Sequence, residues 1–559
     1  MTNLSKTCKN CKQSFVLDEK DLAFLKKVGP TVGGHKFEVP TPAFCPDCRQ
    51  QRRLTFRNER KLYKNTCAFS GKNIISIYSP DKPYKVYAND IWWSDKWDPC
   101  DYGRDYDFSR PFFEQFADLK KEVPCLPLLS KNSENSEYTH LETDSKNCYM
   151  NFGGHFNEDS HYNLHLFYGR DTLDCYWSDK AELCYSCFKC FNAYSLIYCY
   201  WCFNCSESAF CYDCKGCSNC FGCTGLRQKK YCYFNKQLTA EEYEKKMKEV
   251  ELTPDMTDFY LEESKALWNK MPHRNLVIEN SENSLGDLIK NCKNCEYIFE
   301  TDDSEDCRYC DVAGLGMKDS FDITRAGYEM ELCYEVMAGT FLNRTLFSNF
   351  FFDHNNDSMY IDNCFSNDHL FGCTNMHNKR YCILNKQYTK EEWEELLPRI
   401  IEHMMETGEW GEFFPSSLSP FAYNETLALD YFPLTKEEAL AQGFKWKDPD
   451  PQEFSEQKVK VPASIKDTDE SILQEVLSCG ECGKNYRIMK EEFLFYKKMG
   501  LPVPLKCPDC RMSNLLKWRN PHKFWDRSCE RCKTGLKSVY SPDRPERIFC
   551  EDCYKEALV

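Results

Sequence analysis

Cys199-Tyr200-Trp201-Cys202-Phe203-Asn204-Cys205 and, six residues on, Cys211-Tyr212-Asp213-Cys214-Lys215-Gly216-Cys217-Ser218-Asn219-Cys220-Phe221-Gly222-Cys223 return a cysteine at every third position. The clusters recur 15, 12 and 12 residues apart, at Cys184, Cys199, Cys211 and Cys223. Between them lie Tyr, Phe, Trp, Asn, Ser and Asp, with almost no helical pattern. Short strands and tight turns at so regular a period predict a parallel β-solenoid with stacked thiols and aromatics inside. A multi-metal cluster or thiol store, and an irregular packing, are the competing accounts.

The middle of the chain is duplicated, and the duplicate separates these accounts. Phe221-Gly222-Cys223-Thr224, then Cys232 and Asn235-Lys236-Gln237, recur as Phe371-Gly372-Cys373-Thr374, Cys382 and Asn385-Lys386-Gln387, at an offset of 150. Upstream, Glu182-Leu183-Cys184-Tyr185 matches Glu331-Leu332-Cys333-Tyr334. By offset, Cys175, Cys187, Cys190, Cys211, Cys217 and Cys220 face Ile323, Val336, Gly339, Ile361, Asn367 and Leu370. In reverse, Cys307 and Cys310 face Ser160 and Asn163. A ligand set is lost together, whereas these positions exchange singly, as small buried apolar groups do. Each copy ends in a capping-box signal, Thr239 with Glu242 and Thr389 with Glu392, which predicts helices over about 240–250 and 390–407. Thr435 with Glu438 is a third such signal.

The two ends also repeat each other. Cys8-x2-Cys11 and Cys45-Pro46-Asp47-Cys48-Arg49 return as Cys479-x2-Cys482 and Cys507-Pro508-Asp509-Cys510-Arg511. After the second pair, Leu54, Phe56, Arg57, Asn58 and Lys61 match Leu516, Trp518, Arg519, Asn520 and Lys523 at an offset of 462. The first copy has nine extra residues around Gly33-Gly34-His35, expected as a surface loop. A second unit follows at each end. Cys529-x2-Cys532 and Cys550-x2-Cys553 are complete in the C-terminal copy. The N-terminal copy keeps Cys67 but has Ser70, Ala88 and Ile91 at the other three places. One thiolate does not hold a structural ion, so this unit is expected to be metal-free and packed around Trp92, Trp93 and Trp97. The alternative is that Cys100 or Cys125 substitutes.

Four thiolates in two Cys-x2-Cys pairs are the donor set of a closed structural zinc site. Modules this small bury little core. A structural zinc is worth roughly 10–16 kcal/mol at neutral pH and supplies what the core lacks. About three zinc ions are expected, on Cys8, Cys11, Cys45, Cys48; Cys479, Cys482, Cys507, Cys510; and Cys529, Cys532, Cys550, Cys553. Spacing alone leaves an iron–sulfur site open.

Cys479 to Arg511, with Phe493, Phe495, Gly500 and Pro504, resembles the zinc-ribbon (treble-clef type) family, and Cys8 to Arg49 resembles it with the inserted loop. The whole layout is similar to cysteine-rich zinc-ribbon proteins of ultra-small bacteria and large DNA viruses. That resemblance implies zinc binding.

The expected architecture is multidomain and mainly β with short helices, zinc modules at both ends flanking the duplicated middle. Its segments are 1–64 (zinc module), 65–125 (degenerate module), 126–270 and 271–410 (the two repeat copies), 411–475 (a Pro-punctuated linker), 476–526 and 527–559 (zinc modules). Among 559 residues, Lys plus Arg number 72 and Asp plus Glu 87, so the formal charge is −15. An overall nucleic-acid coat is thereby unlike this chain, although local basic patches exist. Arg49, Arg52, Arg53, Arg57, Arg60 and Lys61, and in the other copy Arg511, Lys517, Arg519 and Lys523, are interleaved with aromatics in a manner suited to phosphate contact and base stacking. The competing reading is that arginines offset the −2 charge of a four-thiolate zinc site. No apolar run approaches the ~20 residues of a membrane span. No apolar stretch resembling a secretion signal opens the chain, and the cysteine spacing favours reduced thiols, so a cytoplasmic location is expected. No phosphate loop, nucleophile elbow or His-Glu-x2-His motif is present, and His155, His161 and His165 read as structural. The function expected is a non-enzymatic zinc-binding scaffold whose terminal modules contact RNA or DNA. The alternatives are a protein-complex scaffold without nucleic acid and a thiol-rich redox or metal-handling protein.

Overall fold

The computed structural model describes residues 3–449 and 454–558. Pro451, in the Asp-Pro-Asp-Pro cluster of the expected linker, lies outside them. The chain forms two compact units, each assembled from two separated segments: Met1–Leu128 with Leu276–Asp448, and Leu129–Asn275 with Pro449–Val559. The N-terminal modules therefore join the second repeat copy and the C-terminal modules join the first. This corrects the expectation that the metal-rich ends stand as separate bodies.

In the second unit, ten strands from Ser130–Lys131 to Lys236–Gln237 pair in chain order. All neighbours are parallel except the closing hairpin of Lys230–Tyr233 with Lys236–Gln237. The register is twelve residues: Leu164 faces Tyr176, Tyr194 faces Ser206, Ser218 faces Lys230. The same offset holds between strands, as in Tyr185 with Ile197 and Phe203 with Lys215. Each twelve-residue length thus lies on the one before it. Cys184 sits over Leu196 and not over Cys199, so the spacing of 15 read from the cysteines is one twelve-residue step plus one triplet.

The triplet has a backbone cause. Lys180, Leu183, Ser186, Lys189, Asn192, Ser195, Tyr198, Trp201 and Asn204 all lie at φ between 49° and 54°. That region suits Asn and Asp and costs other L-residues roughly 1–2 kcal/mol each. Asn and Asp at these corners also bond to one another along the stack, as Asn147 Nδ2 does to Asp159 Oδ1 at 2.9 Å. The residue after each left-handed corner enters a fully buried cluster made of cysteine, alanine and leucine: Cys175, Ala181, Cys184, Cys187, Cys190, Ala193, Leu196, Cys199, Cys202.

Inside, thiol, hydroxyl and amide do one job. Cys187 Sγ donates to Tyr185 O (3.4 Å) and Leu196 O (3.5 Å), two residues before and nine after it. Cys202 does so to Tyr200 O and Cys211 O, and Thr172 Oγ1 to Arg170 O and Ala181 O. In the other direction, backbone N–H groups donate to Ser208 Oγ, Cys205 Sγ and Asn163 Oδ1, each from the residue twelve positions later. Among the described residues no three of these interior sulfurs lie within 4.8 Å of one another. Burial pushes the Cys175, Cys184 and Cys187 thiols up. They act as small hydrogen-bonding core groups. The rings lie outside this cluster, which corrects the expectation of rings inside, and are themselves buried: Tyr176 stacks on Phe188 (5.0 Å) and Tyr200 on Tyr212 (5.0 Å), with Trp518 covering the latter two at 4.6 and 5.2 Å.

The first unit carries the second copy of this stack, a nine-stranded and a three-stranded sheet. Its register slips to thirteen at Phe321–Tyr334 and Asn349–Asp362 and returns to twelve at Asp368–Arg380. Ile323, Val336, Ile361 and Leu370 fill its interior where the first copy has cysteine.

The trailing helices are Ala240–Glu249 and Lys390–Glu406, both with the expected capping boxes, and a third box starts Lys436–Ala441. The helices Phe112–Glu122 and Pro254–Lys270 had no counterpart in the sequence reading. The insertion around Gly33-Gly34 is a surface hairpin between Thr31–Val32 and His35–Lys36. Residues 411–448, expected as linker, are core: Phe413, Phe414, Phe421, Tyr423 and Leu427 are buried, and Ser419 Oγ donates to Thr55 O at 2.6 Å. Further on, Ile465 and Ile472 pack with Leu477, Phe493 and Tyr496.

Candidate metal centres

Each terminal module is a hairpin followed by a helix that begins at a cysteine. Four hairpin turns share one backbone pattern. Cys8, Cys67, Cys479 and Cys529 each donate N–H to the carbonyl five residues on, and each accepts at its own carbonyl from the residue four on. That fourth residue is Lys12, Gly71, Gly483 or Lys533, at φ of 62°, 71°, 75° and 64°. The turn exposes backbone N–H groups and sulfurs on one side. The helices α1 (Glu19–Val28) and α2 (Pro46–Leu54) complete the first module, α3 (Lys490–Met499) and α4 (Pro508–Leu516) the second. Cys45 and Cys507 are the N-caps of α2 and α4, with proline at the first helical position, where the helix dipole favours negative sulfur.

Three sets of four sulfurs result, each within 4.8 Å: Cys8, Cys11, Cys45, Cys48; Cys479, Cys482, Cys507, Cys510; Cys529, Cys532, Cys550, Cys553. Cys11–Cys45, Cys482–Cys507 and Cys532–Cys550 Sγ atoms are all 3.7 Å apart. That is far beyond a disulfide bond and matches the edge of a sulfur tetrahedron around one ion, about 3.8 Å for Zn–S near 2.3 Å. N–H groups of Cys45, Cys507 and Cys550 donate to Cys8, Cys479 and Cys529 Sγ at 3.3, 3.3 and 3.4 Å. These bonds favour thiolate. Cys48 is held down to about 5, first by its bond with Cys45, which the same bond pushes up. Cys479 and Cys529 are held down to about 6 by backbone donors that outweigh burial. Charge-assisted N–H···S bonds of this kind are the surroundings a metal thiolate requires, so the donor sets fit a tetrahedral ion.

The degenerate module keeps this backbone without the ligands. Ser70 N and Ala88 N, at two lost cysteine positions, still donate to Cys67 Sγ at 3.4 and 3.2 Å. Cys67 belongs to no ligand group among the described residues, and neither Cys100 nor Cys125 joins it. Trp92 is fully buried, donates Nε1–H to Pro124 O at 3.0 Å and packs on Trp97 at 5.7 Å. Trp93, by contrast, is at the surface.

The basic residues are mostly internal. Arg49 donates to Asp322 (2.7 Å), Arg53 to Asp322 (3.2 Å) and Glu335 (2.8 Å), and Arg52 to Glu335 (2.8 Å) and Glu412 (2.9 Å). Arg53 is 0% exposed. Arg57 is buried against Glu59, and Arg60 pairs with Asp430. In the second unit Arg511 donates to Asp174 (2.7 Å) and Glu492 (3.1 Å). The carboxylates beside them raise Arg49 and Arg511 well above the ordinary range against the effect of burial. Burial still holds Asp174 up, at about 6, beside its arginine. Lys61 and Arg519 are half-buried, whereas Lys517, bonded to Asn514, and Lys523, over the Trp525 ring, are exposed. Arg49, Arg52, Arg53, Arg57 and Arg511 therefore do not present guanidinium groups to a phosphate backbone, because burying them requires the acids that already hold them.

Sequence reasoning matched the arginines to each other and missed their acids. The signal was the duplication itself. Arg49 lies over Tyr309 (5.4 Å) and bonds Asp322; Arg511 lies over Tyr162 (5.2 Å) and bonds Asp174. The partners match across the repeat as the arginines match across the ends.

His155, His161 and His165 form no ligand group among the described residues. Asp357, Asp368 and His369 do cluster, but Arg344 already holds Asp357 and His369 bonds Asp368. No helix among the described residues is long and apolar enough to cross a membrane.

No protein-family model matches the chain. No curated protein matches it in sequence. Among solved structures, a putative acetyltransferase from Desulfovibrio desulfuricans G20 is matched at 8% identity and a TM-score of 0.11, over 42% of this chain and 65% of that one, just under two thirds of its length.

Proposed function

We propose that the protein is a non-enzymatic scaffold held together by three structural zinc ions, with treble-clef modules docked on two β-solenoid platforms, and that it serves protein assembly in the reducing cell interior. The observation that carries this reading is the threefold recurrence of one sulfur geometry, four Sγ atoms around a space for a single ion. Zinc suits it because the ion accepts tetrahedral thiolate without redox chemistry. Sulfurs 3.7 Å apart suit a single ion better than a multi-iron cluster, whose thiolates stand farther apart. A thiol store is disfavoured because the interior sulfurs donate to backbone carbonyls. A nucleic-acid role loses its main support with the burial of the arginines, so the protein-interaction alternative is preferred. Elemental analysis with native mass spectrometry of the purified chain tests the proposal. Three zinc ions per chain are expected; iron, or ten or more metal ions, would refute it.

A further inference from the structure

The residue directly after the last ligand position of each module makes a docking contact with its stack. After Cys48 comes Arg49, bonded to Asp322; after Cys510 comes Arg511, bonded to Asp174. After Cys553 comes Tyr554, whose hydroxyl donates to Asp213 at 2.8 Å and accepts from Arg227 at 3.1 Å. In the degenerate module Ile91 replaces the ligand, and Trp92 follows it, against Phe365 (5.5 Å) and His377 (5.3 Å).

We propose that metal occupancy gates docking: loss of the ion from a module releases that module from its stack, while the degenerate module stays docked as a permanent anchor. This rests on the zinc reading and assigns the sites a regulatory role. The nine-residue α2 and α4 and the eight-residue helix Glu551–Leu558 are below the length at which a helix holds by itself in water. Each is fixed at its first turn by the two sulfurs of its own Cys-x2-Cys pair. Without the ion the helix frays from that turn, and the docking residue lies within it. The stack side then loses its counter-charges. Asp322 and Glu335 side chains are 1% exposed, and carboxylates so buried do not remain so without their arginines. The neighbouring helices α1 and α3 of the same modules, with Phe24 on Phe321 at 3.8 Å and Tyr496 on Tyr185 at 5.7 Å, would then be left as the remaining contacts.

Two features give the gate its character. Cys11, Cys482 and Cys532, the second ligand of each set, are exposed, which gives a chelator or thiol reagent its entry. The first module holds its stack with three arginines and the second with one, so the second should open at lower zinc depletion. The degenerate module has no ion to lose, and it supplies an internal control on the same chain.

The test uses the full-length protein. Zinc is withdrawn in steps with the chelator TPEN, its release is followed by a chromogenic indicator, and hydrogen exchange is measured by mass spectrometry. Exchange is expected to rise at least tenfold at 172–176 and 211–215, later at 320–336, and to stay unchanged at 365–377. Arg511→Gln should raise exchange at 172–176 with all zinc still bound. Zinc leaving with no change on the stacks would overturn the gate and spare the zinc reading, as would equal opening at 365–377, which marks global unfolding. Protein that holds no zinc at the outset would instead overturn the reading beneath it.

Discussion

Arg511 stands to Asp174 as Arg49 stands to Asp322: guanidinium to carboxylate at 2.7 Å in both, with both side chains of each pair buried. Removing one member of such a pair leaves the other charge stranded. Arg511→Met is expected to destabilise its unit by about 3–5 kcal/mol, and pairing it with Asp174→Asn to recover part of that loss. Urea titration of the single and double variants measures both. A double-variant loss equal to the sum of the Arg511→Met and Asp174→Asn losses would show that the pair does not couple.

The interior cysteines and the terminal cysteines should respond differently to one atom. Cys202→Ser keeps a donor aimed at Tyr200 O and Cys211 O, so a cost of about 1 kcal/mol is expected with the metal content unchanged. Cys48→Ser removes a ligand and should lower the metal count by one. Elemental analysis of the two variants side by side decides it; a metal lost with Cys202 would place an ion in the stack.

Two buried groups set opposite pH trends in the second unit. Burial lifts Glu142 to about 7, against bonds from Asn157 and Ser145. A carboxyl whose folded value lies above its ordinary 4.5 binds more protons folded than unfolded. Its contribution is therefore complete below about pH 4.5 and is lost as pH rises through 7, by about 3 kcal/mol in all. Glu142→Gln should flatten stability across that window.

His273 runs the other way. Burial depresses it to about 4, with its Nε2 at 2.9 Å from Trp268 O. The neutral ring is the folded form, so stability is complete above pH 6.5 and falls as pH drops towards 4. His273→Gln, which retains an N–H donor, should remove that acid-side fall in denaturation curves from pH 7 to 4.

The left-handed corners predict an inversion of ordinary substitution rules. Lys180 is exposed at φ 49°. Lys180→Asn should raise stability by several tenths of a kcal/mol and Lys180→Val should lower it by about 1–2 kcal/mol, because a β-branched residue tolerates that region worst. Denaturation midpoints of the pair check the order.

The three four-sulfur groups were legible because the spacing of paired cysteines follows directly from tetrahedral geometry. Cysteine's exchange with Ile323, Val336 and Leu370 likewise disclosed a core role. Three things were not legible. The aromatics of the stack looked interior, since the side a residue faces is set by the left-handed corner, which composition does not report. Arg49, Arg52 and Arg53 looked like a phosphate patch, since Asp322 and Glu335 lie some 270 residues away in sequence. The stretch 411–448 looked like a linker, since prolines punctuate it, yet Phe413 and Phe414 anchor it against Phe56.

The interleaving of segments carries a cost during synthesis. Arg49, Arg52 and Arg53 of the first segment meet Asp322 and Glu335 only once translation has passed residue 335, some 280 residues later. At roughly 5–20 residues per second the nascent N-terminal module waits about 15–60 s with its arginines unmatched. An ion captured early, or a chaperone, would have to protect it on the ribosome through that interval.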